Sequence, residues 1–465
     1  MTDYSRRDFL RSSATVAGAA LLAPSLSGLV VRSRGILPPE APGPTFQRAG
    51  LGLGGYGPLR RAGPELALPE GFSYQVLSFS GKPMSDGNPT PCAFDGMAAF
   101  ALSNGHVRLV RNHENRDVPG TAAVKGDPST AYDRLGGGGT TSLEVRLGSD
   151  GEAELVRDFI SVNGTIVNCA GGPTPWGSWL TCEETVEGRA NGWSQEHGYI
   201  FEVAAAAERP VTPVPLKAMG RFVHEAIAVD RATGVVYLTE DGTPRAGFYR
   251  FIPARLGRLA AGGRLQMLAV EGRRNYDTGT GQRIGTRLPV RWVDIADPDP
   301  QDNVNSATAI FDQGFAQGAA RFARLEGCWF GDNSIYFHAT NGGDAQMGQV
   351  WRYRPTSADG GNLLLVFESP SREVLDSPDN ITVSPRGGIV MCEDGEGEQY
   401  LRGLTREGAI FDLGKNLLNQ TEFAGACFSP DGRVLFVNIM GATQDAATEE
   451  GRTLAIRGPW RRGAL

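Results

Sequence analysis

The sequence predicts an all-β fold, a six-bladed β-propeller with insertions in its loops. Three observations carry that expectation. Turn-forming residues are dense, 63 glycines and 29 prolines in 465 residues, which suits many short strands better than long helices. Six segments along the chain repeat one grammar: a glycine-containing turn or its equivalent, four to six apolar or aromatic residues, then a polar or acidic cluster. The acids recur at the same end of each strand. A propeller gathers such ends round one axis, whereas a sandwich would scatter them along two edges.

In chain order the units are GHVRLVRNHEN from Gly105, WGSWLTCEE from Trp176, GVVYLTEDG from Gly234, NSIYFHATNGGD from Asn333, GGIVMCEDG from Gly387 and GRVLFVNIMG from Gly432. The turn signals DRATG, SPRGG and SPDG introduce three of them. Their spacing is irregular, so some loops carry insertions. One of these, PARLGRLAAGG from Pro253, has a helical pattern.

Ahead of the repeats, Arg6 and Arg7 followed by Phe9 and Leu10 precede an apolar stretch from Ala14 to Val31. This reads as a twin-arginine export signal over residues 1–34, recognised by the twin-arginine translocation machinery, and places the protein in the periplasm or outside the cell. Pro24 and two glycines interrupt the stretch, so no stable membrane anchor is expected. Residues 35–63, rich in proline and glycine, read as a linker, and residues 64–465 as the propeller domain. Gly52, Gly54 and Gly57 have dinucleotide-fingerprint spacing. No strand precedes them and no apolar helix follows, so a phosphate-binding turn is not expected there.

The net charge of −7 and a pI near 5.5 leave no basic footprint for nucleic acid. Only five histidines, His106, His113, His197, His224 and His338, stand against 52 acidic residues. A metal site would therefore be built mostly of carboxylates, which favour hard cations such as calcium, magnesium or ferric iron. Stacking the units sets Glu114, Cys182 with Glu183 and Glu184, Glu240 with Asp241, Asp344, and Glu393 with Asp394 at comparable heights. RFVHEAIAVD adds Glu225, and RFARLEGCWF places Arg324 two residues before Glu326, on one strand face. So many acids on one rim require cations: several calcium ions, with or without a harder trivalent metal, would neutralise them. In EDGEGEQ, Asp394, Glu396 and Glu398 alternate with glycines, in a loop that would either wrap an ion or stay a solvated acidic turn.

The six cysteines contain no CxxC pair. Cys92 and Cys169 are disulfide candidates in an exported chain. Cys328, Cys392 and Cys427 read as buried thiols in apolar strands. Cys182, beside two glutamates, reads as a metal ligand, and a thiolate suits iron better than calcium.

The segments NHE, TPWGSWLTCEE, RFVHEA, RLEG, SPDNITVSPRGG and CEDG resemble the PhoX-type alkaline phosphatase family over nearly the whole chain after the signal. The resemblance implies a six-bladed propeller that hydrolyses small-molecule phosphate monoesters at a central cluster of Fe3+ and Ca2+. It implies Cys182, Glu114 and Glu225 on iron, with Glu183, Glu326 and Asp379 on calcium. Arg324 and either Asn168 or Asn163 would grip the phosphate oxygens, and a metal-bound oxide or hydroxide would attack. The chain is shorter than well-known members between the Cys182 and Glu225 motifs and in later loops, which leaves substrate range open. The competing expectations are a calcium-dependent propeller phosphodiesterase or lactonase, and a non-catalytic binding module with structural metals that presents Trp176, Trp179 and Trp193.

Overall fold

The computed structural model describes residues 55–300 and 307–465. The expected signal and the linker as far as residue 54 lie outside the described residues. The rest of that linker belongs to the folded body. Tyr56 is buried and donates its hydroxyl to Trp460 O at 3.0 Å, and β1 (Leu59–Arg61) pairs with β2 (Leu66–Pro69). Two short strands need only a few backbone partners, so composition hardly records them.

The architecture is all-β and propeller-like. After β3 (Ser73–Phe79), strands β4 (Phe94–Ala101), β5 (Val107–His113), β6 (Gly138–Leu147) and β7 (Ala153–Thr165) form an antiparallel meander. A three-stranded sheet follows, built from β8 (Asn168–Pro173), β9 (Ser178–Glu183) and β10 (Ile200–Ala204). Next come β11 (His224–Val229), β12 (Val236–Glu240), β13 (Phe248–Pro253), β14 (Gly263–Val270) and β15 (Arg287–Asp294). The helix α1 (Ala309–Ala316) leads to β16 (Leu325–Gly331), β17 (Ser334–Ala339), β18 (Gln349–Pro355) and β19 (Gly360–Glu368). Pairing of β15 with β19 joins these two groups edge to edge in one nine-stranded sheet.

The remaining strands close the body with help from its beginning. β20 (Pro378–Val383), β21 (Ile389–Glu393), β22 (Tyr400–Leu404) and β23 (Ile410–Asn416) gain β2 at their outer edge. β24 (Phe423–Phe428), β25 (Val434–Ile439) and β26 (Arg452–Arg457) gain β3. Sharing a sheet between early and late strands covers edges that would otherwise stay exposed.

The first strands of these groups form a ring. β4 contacts β8, β8 contacts β11, β11 contacts β16, β16 contacts β20, β20 contacts β24, and β24 returns to β4. Apolar packing fills the space between neighbouring sheets, as where Leu180, Ile200, Ile227, Leu238 and Phe251 meet. Inner strands such as β11 are buried at every position, whereas the outer β19 alternates buried and half-exposed residues, as a strand with one wet face does.

Every repeat segment predicted from sequence falls on the second strand of its group, β5, β9, β12, β17, β21 or β25, rather than on the ring itself. The inner strands escape the pattern because they are rich in small residues and each is interrupted in its pairing. Two local expectations are corrected as well. The stretch from Pro253 forms only a 3-10 turn, Leu259–Ala261, because the left-handed glycines Gly257 and Gly262 flank it. Asp344 is exposed and accepts the Gly281 N–H (2.7 Å) on an outer loop, away from the axis.

Neighbouring inner strands approach so closely that a methyl group does not fit between some of them. A Cβ added to Gly327 would lie 2.5 Å from Asp379 O and 2.8 Å from Ile381 N, both backbone atoms. Gly327→Ala should therefore lower stability by about 1–3 kcal/mol, read from the urea midpoint. An unchanged midpoint would mean that β16 and β20 do not pack this tightly.

Candidate metal centre

Each inner strand is irregular at the same place. Pairing with the second strand breaks between Phe94 and Met97, Asn168 and Gly171, His224 and Ile227, Leu325 and Cys328, Pro378 and Ile381, and Ala424 and Cys427. The first residue inside each break is Asp95, Cys169, Glu225, Glu326, Asp379 or Gly425. A bulge bends its strand and re-aims a side chain, and here it turns a ligand-type residue out of the ladder on five strands. The sixth position supplies backbone instead. Gly425 adopts φ +61°, a Cβ there would lie 2.4 Å from Asp95 O, and its N–H donates to Asn380 Oδ1 at 2.9 Å.

The residues that follow are Gly96, Ala170, Ala226, Gly327, Asn380 and Ala426, which line a narrow space on the axis together with Trp179 and Trp329. Trp329 packs against apolar clusters on several sides and also borders a cavity of about 770 Å³ on the far side of this neck. Small residues let the strands converge, and the indole fills the middle.

A second tier comes from the ends of the second strands. Glu183 pairs with Asn168, Glu240 with His224 and Glu393 with Pro378, and each of these glutamates faces its own sheet. Glu183 accepts from His197 Nδ1 (2.6 Å), Ile166 N (3.1 Å), Gly198 N (2.9 Å) and Tyr199 N (3.2 Å). Glu240 accepts from Tyr249 Oη (2.7 Å) and Gly247 N (2.8 Å), and burial pushes its carboxyl up to about 8. Glu393 accepts from Arg402 Nε (2.7 Å) and Asp376 N (3.0 Å). The next residues, Glu184, Asp241 and Asp394, turn the other way, as successive side chains on a strand do, and reach the ring.

The two tiers meet in three linked trios. Ligand atoms of Cys169, Glu184 and Glu225 lie within 4.8 Å of one another, as do those of Glu225, Glu326 and Asp379, and those of Asp379, Asp394 and Glu422. Glu225 and Asp379 are shared, so the trios form one continuous acidic chain. Arg116 joins Glu114 to Glu184, and Arg324 joins Asp241 to Glu326. Burial, then the Glu225 and Glu184 carboxylates, push the Cys169 thiol well above its ordinary range, so a thiolate is stable there only beside a cation. Glu114 Oε2 is buried with no hydrogen-bond partner among the described residues, as suits an oxygen meant for an ion. The donor set fits metal ions.

The structure sorts the residues expected from sequence. Glu225, Glu326 and Asp379 come together, with Arg324 beside Glu326 (Nη2 to Oε1, 2.5 Å) and Glu114 linked through Arg116 to Glu184. Cys182 does not join them. It pairs with Ile200 inside β9 and packs with Leu180 and Ile200, two residues and about 7 Å of strand below Glu184. Cys169 is the thiol at the ring. Neither Cys169 nor Cys92 forms a disulfide. Glu183 is saturated by His197 and three backbone donors, on the wrong face for the trios. Asn168 is held by Thr165 Oγ1 (2.6 Å) and Thr181 Oγ1 (2.9 Å). Asn163 ties down the loop before β6 through Lys125 O, Asp127 O and Thr130 Oγ1. Both amides serve their own sheet. In EDGEGEQ only Asp394 reaches a trio, while Glu396 pairs with Arg372 and Glu398 with Lys415.

The trio members that sequence reasoning missed are Cys169 and Glu422, with Glu184 and Asp394 noticed but not chosen. A signal exists for the bulges: an acid or thiol at the head of an apolar run, followed at once by glycine or alanine, as in Asp95-Gly96, Cys169-Ala170, Glu225-Ala226 and Glu326-Gly327.

Fold and centre together define a propeller-like protein whose inner strands deliver buried acids and one thiol to one end of a narrow axis. The model of a family described as Alkaline phosphatase PhoX matches residues 54–442. Pseudomonas fluorescens PhoX, solved in complex with vanadate, a transition state analogue, is similar with a TM-score of 0.68 and 18% identity, over 89% of this chain and 99% of that one. The Xanthomonas campestris gluconolactonase XC5397 is more distant, at TM-score 0.39 and 12% identity, over 86% of this chain and 99% of that one. No curated protein matches. The chain belongs to the alkaline phosphatase PhoX family, and it is a phosphoric monoester hydrolase.

His197 locks the segment beyond Glu184. Its ring lies between Glu183 and Asp133 Oδ2 (3.3 Å), and Asp133 also accepts from Ser194 N (2.7 Å) and Gln195 N (2.8 Å). Burial opposes the charge on His197, but Glu183 and then Asp133 outweigh it and raise the imidazole to about 9. A folded-state value above the unfolded 6.5 stabilises fully below pH 6.5 and fades as pH rises through 9. His197→Gln should remove about 1–3 kcal/mol of that pH-dependent stability, seen as flatter urea midpoints between pH 6.5 and 9. Parallel profiles would show that His197 is neutral in the folded protein.

Proposed function

We propose that the protein is an exported, six-bladed propeller phosphatase that hydrolyses small-molecule phosphate monoesters at an Fe3+ and Ca2+ cluster. The observation that carries this reading is the run of trios through Glu225 and Asp379 with Arg324 at its side. The closed cycle of inner strands supports six blades. Arg6-Arg7 ahead of an apolar stretch supports twin-arginine export to the periplasm or beyond, with residues 1–34 as signal. No helix among the described residues is long and apolar enough to cross a membrane.

Cys169, Glu184 and Glu225 would hold iron, since one thiolate among carboxylates suits a ferric ion better than calcium. Glu114 joins that set through its unpartnered oxygen. The all-carboxylate trios, Glu225 with Glu326 and Asp379, and Asp379 with Asp394 and Glu422, suit calcium. Bound there, the ions would spread the charge of the phosphate and lower the pKa of water. The chain itself contributes orientation and dryness. Asn380 Nδ2 donates to Asp379 Oδ1 at 2.9 Å and holds that carboxylate in place. Trp329 and the small residues of the neck keep bulk water from crossing the axis. Arg324, held by Asp241 and Glu326, would bring a fixed planar guanidinium to the phosphate oxygens, which lysine cannot reproduce.

Cys169→Ser should lose iron by elemental analysis and lose its visible absorption, while Cys182→Ser keeps both. Chelation should abolish hydrolysis of p-nitrophenyl phosphate. Iron lost from Cys182→Ser and retained in Cys169→Ser would reverse the assignment, and calcium without iron in the parent would favour the lactonase-like alternative. Arg324→Lys should keep its metals and lose about 2–4 kcal/mol of transition-state stabilisation in kcat. Unchanged turnover would remove Arg324 from phosphate recognition.

A further inference from the structure

Asp241 occupies the second-tier position that Glu184 and Asp394 fill elsewhere, one residue beyond the last paired glutamate of its strand. Those two counterparts belong to trios of ligand atoms, and Asp241 belongs to none among the described residues. Its carboxylate is turned to Arg324 instead. Oδ1 accepts from Nε at 2.8 Å and Oδ2 from Nη2 at 2.8 Å, a side-on pair with both side chains largely buried. Nη2 also donates to Glu326 Oε1.

The backbone repeats the same connection. Arg324 N donates to Gly242 O (3.4 Å), next to Asp241, and Arg324 O accepts from Thr340 N (2.9 Å). Arg324 has a left-handed backbone, φ +47°, a conformation that persists in a non-glycine residue only where the surroundings impose it. Asp241 N donates to Val223 O (3.1 Å), just ahead of His224 and Glu225. The Asp241–Arg324 pair thus ties the strand that carries Glu225 to the strand that carries Glu326.

We propose that Asp241 is a positioning residue for phosphate recognition: it fixes the plane and rotation of the Arg324 guanidinium so that the cation is already oriented before substrate arrives. The inference rests on the role proposed for Arg324. An arginine side chain has several rotatable bonds, and its planar fork is selective only when held in one orientation. Two parallel hydrogen bonds to one carboxylate do this, where a single contact would leave rotation free.

The test compares Asp241→Asn, Asp241→Glu, Arg324→Ala and Asp241→Asn/Arg324→Ala, each checked for metal content and melting temperature. Inorganic phosphate affinity is measured by calorimetry and turnover with p-nitrophenyl phosphate. Asp241→Asn should weaken phosphate binding at least 10-fold and lower kcat with its metals retained, and it should add nothing once Arg324 is alanine. Asp241→Glu, which keeps the charge and shifts it by one methylene, should also weaken phosphate binding, and it decides the matter if the asparagine variant does not fold. Parental phosphate affinity in either single Asp241 variant would overturn the proposal. So would an equal loss with and without Arg324, which marks a role independent of the guanidinium. If Arg324→Ala itself binds phosphate as the parent does, the reading of Arg324 fails first.

Discussion

Like charges crowd one end of the axis because the inner strands all leave their ladders at the same register. Each bulge removes a side chain from ordinary pairing and aims it inward, and five of the six positions carry a carboxylate or a thiol. Two carboxylates a few ångströms apart in a poorly solvated place repel strongly. The arrangement is stable only if cations enter it, and the rest of that end of the molecule follows from this requirement. Arg116 and Arg324 each bridge two acids, and the linked trios set carboxylate and thiol atoms close enough to hold metal ions.

The strand ends separate stability from chemistry by one residue. In Glu183-Glu184, Glu240-Asp241 and Glu393-Asp394, the first acid anchors its own sheet through His197, Tyr249 or Arg402. The second acid is left for the ring. Because side chains alternate along a strand, a rigid support and a reactive oxygen can sit side by side without competing for partners. The support matters, since a carboxylate shared between two trios has to stay within a few tenths of an ångström of where both need it.

A narrow neck completes the site. Glycine or alanine at five of the six positions that follow the bulge residues allows backbone to approach backbone, and Trp329 occupies the space that remains. The centre is therefore approached from the acidic side, and the cavity beyond Trp329 lies apart from it. The relation to Pseudomonas fluorescens PhoX at 18% identity is of the kind expected when a fold depends on a few small residues, bulges and acids. Most other positions need only be apolar on the packed faces.

Much of this could be read without coordinates. Turn density, repeated strand patterns and the scarcity of histidine determined an all-β protein with a carboxylate-rich end, and the quoted motifs determined the family. Glu225, Glu326, Asp379 and Arg324 were legible because each stands in a short, distinctive motif. The repeat itself, however, marked the second strands, since those run on apolar residues without the bulge that interrupts each inner strand. Only the tertiary structure decided that Cys169 and not Cys182 reaches the ring, and that Glu184 and not Glu183 faces it. Those choices depend on strand register and on where a bulge shifts it by one residue, and a one-residue shift reverses which face a side chain occupies. Composition and spacing do not record that shift. Glu422 and Asp241 acquire their roles from strands distant in sequence, which only packing brings together.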